Sequence, residues 1–469
     1  MIAGSSKQLF FNTKFFAPLI AAVFLRILPL FWSAEVYDVT LYRHQAVAVL
    51  DHINPYLYII SPAFSTVTQP YVYLPFSMFY APALLISSQN LGIPFPAAIK
   101  FVSIVFDLLT GAALCLALSK RSIGNTLKCA WLYAVCPISI LIVSFHGNIM
   151  SGPTFLTLLA LLFFTKADDT SKDSRSFRLS AIFLGLAIAW RTYPVLLLPA
   201  FLLKCRDKHS ALRYLLNVSF PVIITSLPFL VANPVPMLKG LVYTGFNGLI
   251  GWHSLPLTAS GSIFLHSPFY SSLRDLGILL TNHTHQWDKP FFFMIYAAVL
   301  AGCWRRRSLL ELILLIFLSG YFFLTSVAQQ YFIWIFPFLI LWSYREALLY
   351  AVFGGLALFF MYWSIYPEIL FGVFPVIRLS LSAEYWFSFL TVAFFWLYIG
   401  WLIFKIAFGK KNELPPALIR FNFSTHDRLA RWTERGLYLL IFGVMLMETV
   451  FVLNLDHYQS WKLSRVIPI

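Results

Sequence analysis

Charge is what this chain has least of. Only 11% of its 469 residues are charged, against 59% hydrophobic, where soluble domains carry roughly 25%. That shortage excludes a free-standing soluble protein and places the chain in a bilayer. Acidic residues are the scarcer sign, 19 against 34 Lys and Arg, leaving a net charge of +15. In a membrane protein such an excess follows from basic cytoplasmic turns, so no nucleic-acid partner is expected. The five cysteines, Cys115, Cys129, Cys136, Cys205 and Cys303, lie in or beside apolar runs, with no CxxC and no Cys/His cluster. A disulfide framework is excluded on that pattern, and neither a metal nor a cofactor is expected. GxGxxG and Walker loops are missing, and the cytoplasmic turns are too short for a nucleotide-sugar domain. The first apolar run, Phe15–Trp32, lacks a small-residue cleavage site and reads as a first helix rather than a signal peptide.

What is present is hydrocarbon in blocks. Runs near 15–33, 97–119, 127–144, 152–165, 214–232, 290–303, 308–326, 331–343, 347–364, 387–404 and 437–455 are expected to cross the membrane, giving an all-α polytopic protein of about 11 spans. Basic turns separate them: Lys120-Arg121, Lys166 to Arg178, Lys204 to Arg213, Arg305-Arg306-Arg307, Arg345, and Lys405 to Arg435. These turns share one side with Lys7 and Lys14 only if 72–90, which carries Pro75 and Pro82, does not cross. It is expected to lie in or dip into the outer leaflet as part of an external loop 34–96 with interfacial helices. The other external loops are 233–289 and 365–386. Segment 180–203 is basic on both flanks, and its two limbs of some 16–18 Å each fall short of a core of about 30 Å. It is expected to be a re-entrant hairpin with Trp190-Arg191-Thr192-Tyr193-Pro194 at its tip. Segment 405–436 suits an amphipathic helix on the cytoplasmic surface.

Few polar residues interrupt this pattern. Asp38 comes directly after the first span, in Glu35-Val-Tyr-Asp38-Val-Thr-Leu-Tyr42-Arg43-His44. A partly buried carboxylate there suits a base for an acceptor hydroxyl, while the plainer alternative is a helix cap; Glu35 and Asp51 are weaker rivals. Arg191, at membrane depth, suits a phosphate; its alternative is a structural ion pair with Asp107. His146 and Asn148 end a span in Ser144-Phe-His146-Gly147-Asn148, and Gln330-Tyr331 opens another on the same side. Each suits a phosphate or sugar hydroxyl, or is simply an interfacial residue. His253, beside Trp252 in the long external loop, suits a sugar, though a loop histidine is more often inert. All point to one leaflet, the form expected of a lipid-linked substrate site.

In their order along the chain, these signals resemble the GT-C superfamily of polyprenyl-phosphate-sugar-dependent glycosyltransferases. The matching runs are Asp38-Val-x-x-Tyr42, Asn54-Pro55-Tyr56, Tyr71-Val-Tyr73-Leu-Pro75, Lys100-Phe to Asp107-Leu-Leu-Thr-Gly111, Ser144-x-His146-Gly147-Asn148, Gly185 to Trp190-Arg191-Thr-Tyr193-Pro194, and Gln330-Tyr331-Phe-Ile-Trp334. The nearest patterns are the first GPI mannosyltransferase and the bacterial polyprenyl-phosphate mannosyltransferases. The GPI enzyme has Asp-x-Asp where this chain has Thr40, so the lone Asp38 is more similar to the bacterial, metal-independent branch. The resemblance covers about 15–345 and implies a catalytic module over 1–345, with C-terminal helices in 346–469. It implies inverting transfer of a sugar, mannose first, from a polyprenyl phosphate to a lipid-linked or glycolipid acceptor on the external or lumenal face. The host membrane would be a bacterial or archaeal plasma membrane, or the endoplasmic reticulum. Asp38 would be the base, Arg191, His146 and Tyr193 the donor-phosphate site, and Tyr42, Arg43, His44, Asn148, Gln330 and His253 the substrate contacts. A lipid or solute transporter, a diphosphate-donor polymerase or ligase, and a non-catalytic subunit remain as alternatives.

Overall fold

Hydrocarbon offers the backbone no hydrogen-bond partner, so an apolar run satisfies its own N–H and C=O groups as a helix. The computed structural model describes residues 16–31, 37–56, 71–119, 123–168, 175–232, 234–242, 288–324, 327–372, 374, 381–409 and 427–453, and contains no strand among them. His253, Glu35, most of loop 233–289 and residues 410–426 lie outside the described residues.

The principal helices are α1 (Phe16–Ile27), α2 (Tyr37–Leu50), α3 (Tyr80–Leu91), α4 (Phe95–Leu118), α5 (Ile123–Ala134), α6 (Ser151–Asp168), α7 (Arg175–Trp190), α8 (Lys208–Ala232), α9 (Asp288–Cys303), α10 (Leu309–Phe323), α11 (Phe336–Trp342), α12 (Tyr344–Ile365), α13 (Leu381–Phe408) and α14 (Asp427–Leu453). Five described segments are long and apolar enough to cross a membrane: Phe95–Leu118, Gly124–His146, Lys208–Ala232, Tyr344–Ser364 and Trp386–Phe408. The chain is thus a helical protein of membrane type. Its other apolar helices are shorter, Leu309–Phe323 and Ser151–Ala167 among them. In 72–90 the described structure is a turn at Pro75–Ser77 and the 12-residue α3, about 18 Å long and too short to cross the core.

A fully buried ion pair ties α1 to α4. Arg26 of α1 and Asp107 of α4 are both fully buried and pair through Arg26 Nε and Asp107 Oδ2. Arg26 also donates to the carbonyls of Ala22 (3.1 Å), Ala134 (2.8 Å) and Tyr133 (3.0 Å), and to Ser139 Oγ (2.9 Å). Asp107 accepts from the hydroxyls of Tyr133 and Ser139, each at 2.7 Å. Every polar atom of the pair is therefore occupied, the condition under which a buried pair persists. The expected alternative partner for Arg191, Asp107, is hereby reassigned: it belongs to Arg26.

The chain between α5 and α6 departs from regular helix. Pro137 has no N–H to offer, and the helix restarts there as Pro137–Ser139 before widening into π-helix over Ile140–His146. It ends on Gly147 at φ +80°, where an added Cβ would lie 2.8 Å from the Lys100 side chain. Glycine is required on both counts.

Three helices measure the distance from one end of the molecule to the other. On α4, Lys100 touches Gly147 while Leu118 accepts a bond from Thr126 beside the first basic turn; 18 residues separate them, about 27 Å. On α12, Glu346 binds Lys405 and Tyr362 binds His146, about 24 Å apart. On α7, Arg175 and Arg178 both reach Glu434, and Arg191 follows the other end. Basic turns meet directly at that first end: Lys204 donates to the carbonyls of Trp304 and Arg307, both at 2.6 Å, and Arg307 to those of Ala407 (2.8 Å) and Gly409 (2.7 Å). α7 begins at Arg175, five residues before the expected limb, because the Glu434 bridges hold an extra turn. Ser180 pairs with Tyr214, and Gly185 lies against Val218 and Pro221, so α7 and α8 run in the same direction. The chain therefore returns between Trp190 and Lys208.

Candidate active site

Asp38 sits in the first turn of α2, where the helix dipole favours a carboxylate. Its side chain is 17% exposed, next to a 7% exposed His146. Asp38 Oδ2 accepts from His146 Nε2 at 2.8 Å and from Asn148 Nδ2 at 2.6 Å. Asn148 cannot be turned over, because its Oδ1 already accepts from the Met150 N–H at 3.1 Å. Oδ1 of Asp38 takes neither of these bonds. Burial pushes the Asp38 carboxyl up, but the His146 and Asn148 bonds and the charges of His146 and Arg191 outweigh it and hold it below the usual carboxylate value. The group is therefore ionised at neutral pH. His146 and Asn148 owe their position to the π-turn: Gly147 N–H and Asn148 N–H both reach the Ile142 carbonyl at 3.1 Å. A π-turn at a functional cluster is a recurrent arrangement.

Arg191 follows α7, and its place is fixed by Trp190. An added Cβ on Gly152 of α6 would lie 2.7 Å from the Trp190 ring, so that glycine lets the two helices close. Arg191 is 1% exposed. Its guanidinium lies 3.4 Å from the Tyr73 ring centroid, and Nη2 donates to Tyr42 Oη at 2.8 Å. Nε and Nη1 have no partner among the described residues, and no described carboxylate pairs with Arg191. Each unmade buried bond costs about 1–3 kcal/mol, more for a charged donor. The cation is thus covered on its face by Tyr73, while two of its donors have no described partner.

No protein-family model and no curated protein sequence matches this chain. The site must speak for itself.

The structure brings Asp38, His146 and Asn148 into direct contact, and Tyr42 onto Arg191. Tyr193 lies within electrostatic range of Arg191 and stacks on Trp334 at 3.3 Å between centroids. Tyr331 covers the same indole at 4.1 Å and feels both Asp38 and Arg191. The turn Gln329–Trp334 therefore borders the cluster; the Oε1 of Gln330 and Nε1 of Trp334 are buried without described partners. Arg43 and His44 stand about 140° and 120° round α2 from Asp38, and Arg43 lies over the Phe95 ring at 5.6 Å. His253 is outside the described residues. Sequence reasoning missed Tyr362, Tyr73 and the Arg26 partnership. An arginine inside the first apolar run was a signal for the last; Tyr362 carries no local mark, since only the packing of α12 against the π-turn brings it to His146.

Proposed function

We propose that this protein is an inverting glycosyltransferase that moves one sugar, mannose first, from a polyprenyl phosphate to a lipid-linked or glycolipid acceptor on the external or lumenal face. One observation carries the reading: an ionised carboxylate, Asp38, whose Oδ1 has no hydrogen-bond partner among the described residues, stands within electrostatic range of a buried cation, Arg191, with two N–H groups that have none either. A base and an anion clamp are the two groups such a transfer requires. Asp38 takes the acceptor's hydroxyl proton as its oxygen attacks the anomeric carbon in line. The bond from that carbon to the phosphate oxygen breaks, inverting the centre. The electron pair leaves with the polyprenyl phosphate, whose charge the Arg191 guanidinium meets through N–H donors that have no described partner. Placing this at the far end from the basic turns supports an external or lumenal site. The finer architecture, about 11 spans with a re-entrant hairpin at 180–203, belongs to the same proposal and is supported by the parallel run of α7 and α8.

The test is transfer of label from radiolabelled polyprenyl-phosphate-mannose into extracted membrane lipids. Asp38→Asn is expected to lose at least about 10²-fold in kcat while keeping the wild-type elution profile and Tm. Full activity in Asp38→Asn would remove the base. Transfer from a glucose or arabinose donor alone would keep the chemistry and change the sugar. No transfer from any monophosphate donor would overturn the reading.

A further inference from the structure

Behind the Asp38–His146 contact lies a third group. Tyr362 of α12 is wholly buried, and its hydroxyl lies 3.0 Å from His146 Nδ1. Its ring stands tilted by 40° against the imidazole, 5.7 Å between centroids. This is its only described hydrogen bond, so its proton goes to the one acceptor in reach. With Nδ1 accepting from Tyr362, the other ring nitrogen carries the hydrogen, and Nε2–H points at Asp38 Oδ2. The opposite tautomer would set two lone pairs against each other at Asp38.

We propose that Tyr362 is a positioning residue: its hydroxyl fixes the tautomer and rotation of His146, and through His146 the orientation of the Asp38 carboxylate. The inference rests on the reading of Asp38 as the base. The three groups form a line across elements far apart in sequence: α2, the π-turn and α12. Each link has a defined direction, from Tyr362 O–H to Nδ1 and from Nε2–H to Oδ2. Oδ1 is thereby turned to the acceptor. The arrangement uses the same logic as a carboxylate held by an oriented imidazole, with the roles reversed: here the carboxylate reacts and the imidazole is the brace. Other titratable groups around Asp38 among the described residues include Arg191, Tyr42, Tyr331 and Tyr366, with buried Lys100 against Gly147. None of them bonds His146 among the described contacts.

Tyr362→Phe keeps the ring and removes only the hydroxyl. Two readouts are made on the full-length protein in detergent. In ¹⁵N spectra, with His146→Gln used to assign the resonance, wild-type His146 is expected in the neutral Nε2–H form; a doubly protonated ring, whose Nδ1 cannot accept from Tyr362, overturns the proposal. Tyr362→Phe is expected to shift the Nδ1 resonance, which has lost its donor, and to weaken the preference for the Nε2–H form; an unchanged His146 signal overturns the proposal. In the transfer assay, Tyr362→Phe is expected to lose about tenfold in kcat with the donor KM unchanged. Its acid limb in the pH profile should move to higher pH, because a misaligned imidazole no longer supports the carboxylate. An unchanged limb and kcat in an active enzyme overturn the proposal as well. Should the variant misfold, fluorotyrosine incorporated at position 362, a stronger donor, is expected to move the limb to lower pH; no movement counts against the brace. If wild type transfers from no polyprenyl donor but the tautomer responds to position 362, the functional reading fails and the brace stands.

Discussion

At the scale of single residues, the decisive contrast is between two buried arginines. Arg26 donates five hydrogen bonds and has a carboxylate partner. Arg191 donates one, to a tyrosine, and has none. Arg26 is fully satisfied, whereas Nε and Nη1 of Arg191 have no partner among the described residues, as expected if a substrate anion supplies the missing acceptors under the proposed function. Arg191→Lys tests this, because lysine keeps the charge but loses the planar fork and the stacking on Tyr73. The expected result is a rise in donor KM or a fall in kcat of about tenfold or more, measured by steady-state transfer on a donor series. Unaltered kinetics in the lysine and alanine variants would make Arg191 a structural residue. The sequence marked Arg191 as costly, and Arg26, inside the first apolar run, carried the same signal unread; neither said which had a partner. That depended on Asp107 facing α1 and not the turn after α7.

At the scale of elements, the π-turn Ile140–His146 does the most positioning. It is anchored from behind by the Arg26–Asp107 cluster, since Arg26 binds the carbonyls of Tyr133 and Ala134 and the Ser139 hydroxyl just upstream. Removing one partner leaves a buried charge alone, so Arg26→Met should destabilise by about 3–5 kcal/mol. Thermal unfolding in detergent would show a large drop in Tm. The double variant Arg26→Met with Asp107→Leu should recover much of that loss, because no unpaired charge remains. A single variant as stable as wild type would mean that the pair contributes little. One local signal here was readable: His146-Gly147-Asn148 announced a polar helix end, whereas the interruption at Pro137, inside the run expected to cross as 127–144, went unread. The wide π register was not readable, because it follows from how the turn packs beneath α12 and beside α4. Other ends were legible from chemistry alone. Ser308 and Glu311 form a reciprocal cap at the start of α10, with Glu311 N–H reaching Ser308 Oγ at 3.2 Å and Ser308 N–H reaching Glu311 Oε2 at 2.9 Å.

At the scale of the whole molecule, polar chemistry divides between two ends about 24–27 Å apart along α4 and α12. Basic turns meet at one end, and the Asp38 cluster occupies the other. This predicts opposite accessibility across a sealed membrane. With the five native cysteines replaced, a cysteine at exposed Arg306 should react only with a reagent on the cytoplasmic side. One at exposed Asp51, at the end of α2, should react only from outside. Labelling of both from the same side would contradict the two-ended arrangement. By itself, the sequence determined the class: a helical membrane protein, because so few charges and such long apolar runs admit no other solvent. It determined where helices break and which rare polar residues are expensive enough to need a reason. Only the tertiary structure decided the partnerships. Asp107 went to Arg26, Tyr73 to the face of Arg191, and Tyr362 to His146, over separations of 81, 118 and 216 residues. Hydrophobic pattern fixes which face of a helix is buried, but it carries no information about which distant side chain will meet it there. That is set by the packing of whole helices, where a single glycine such as Gly147 or Gly152 allows two of them to close.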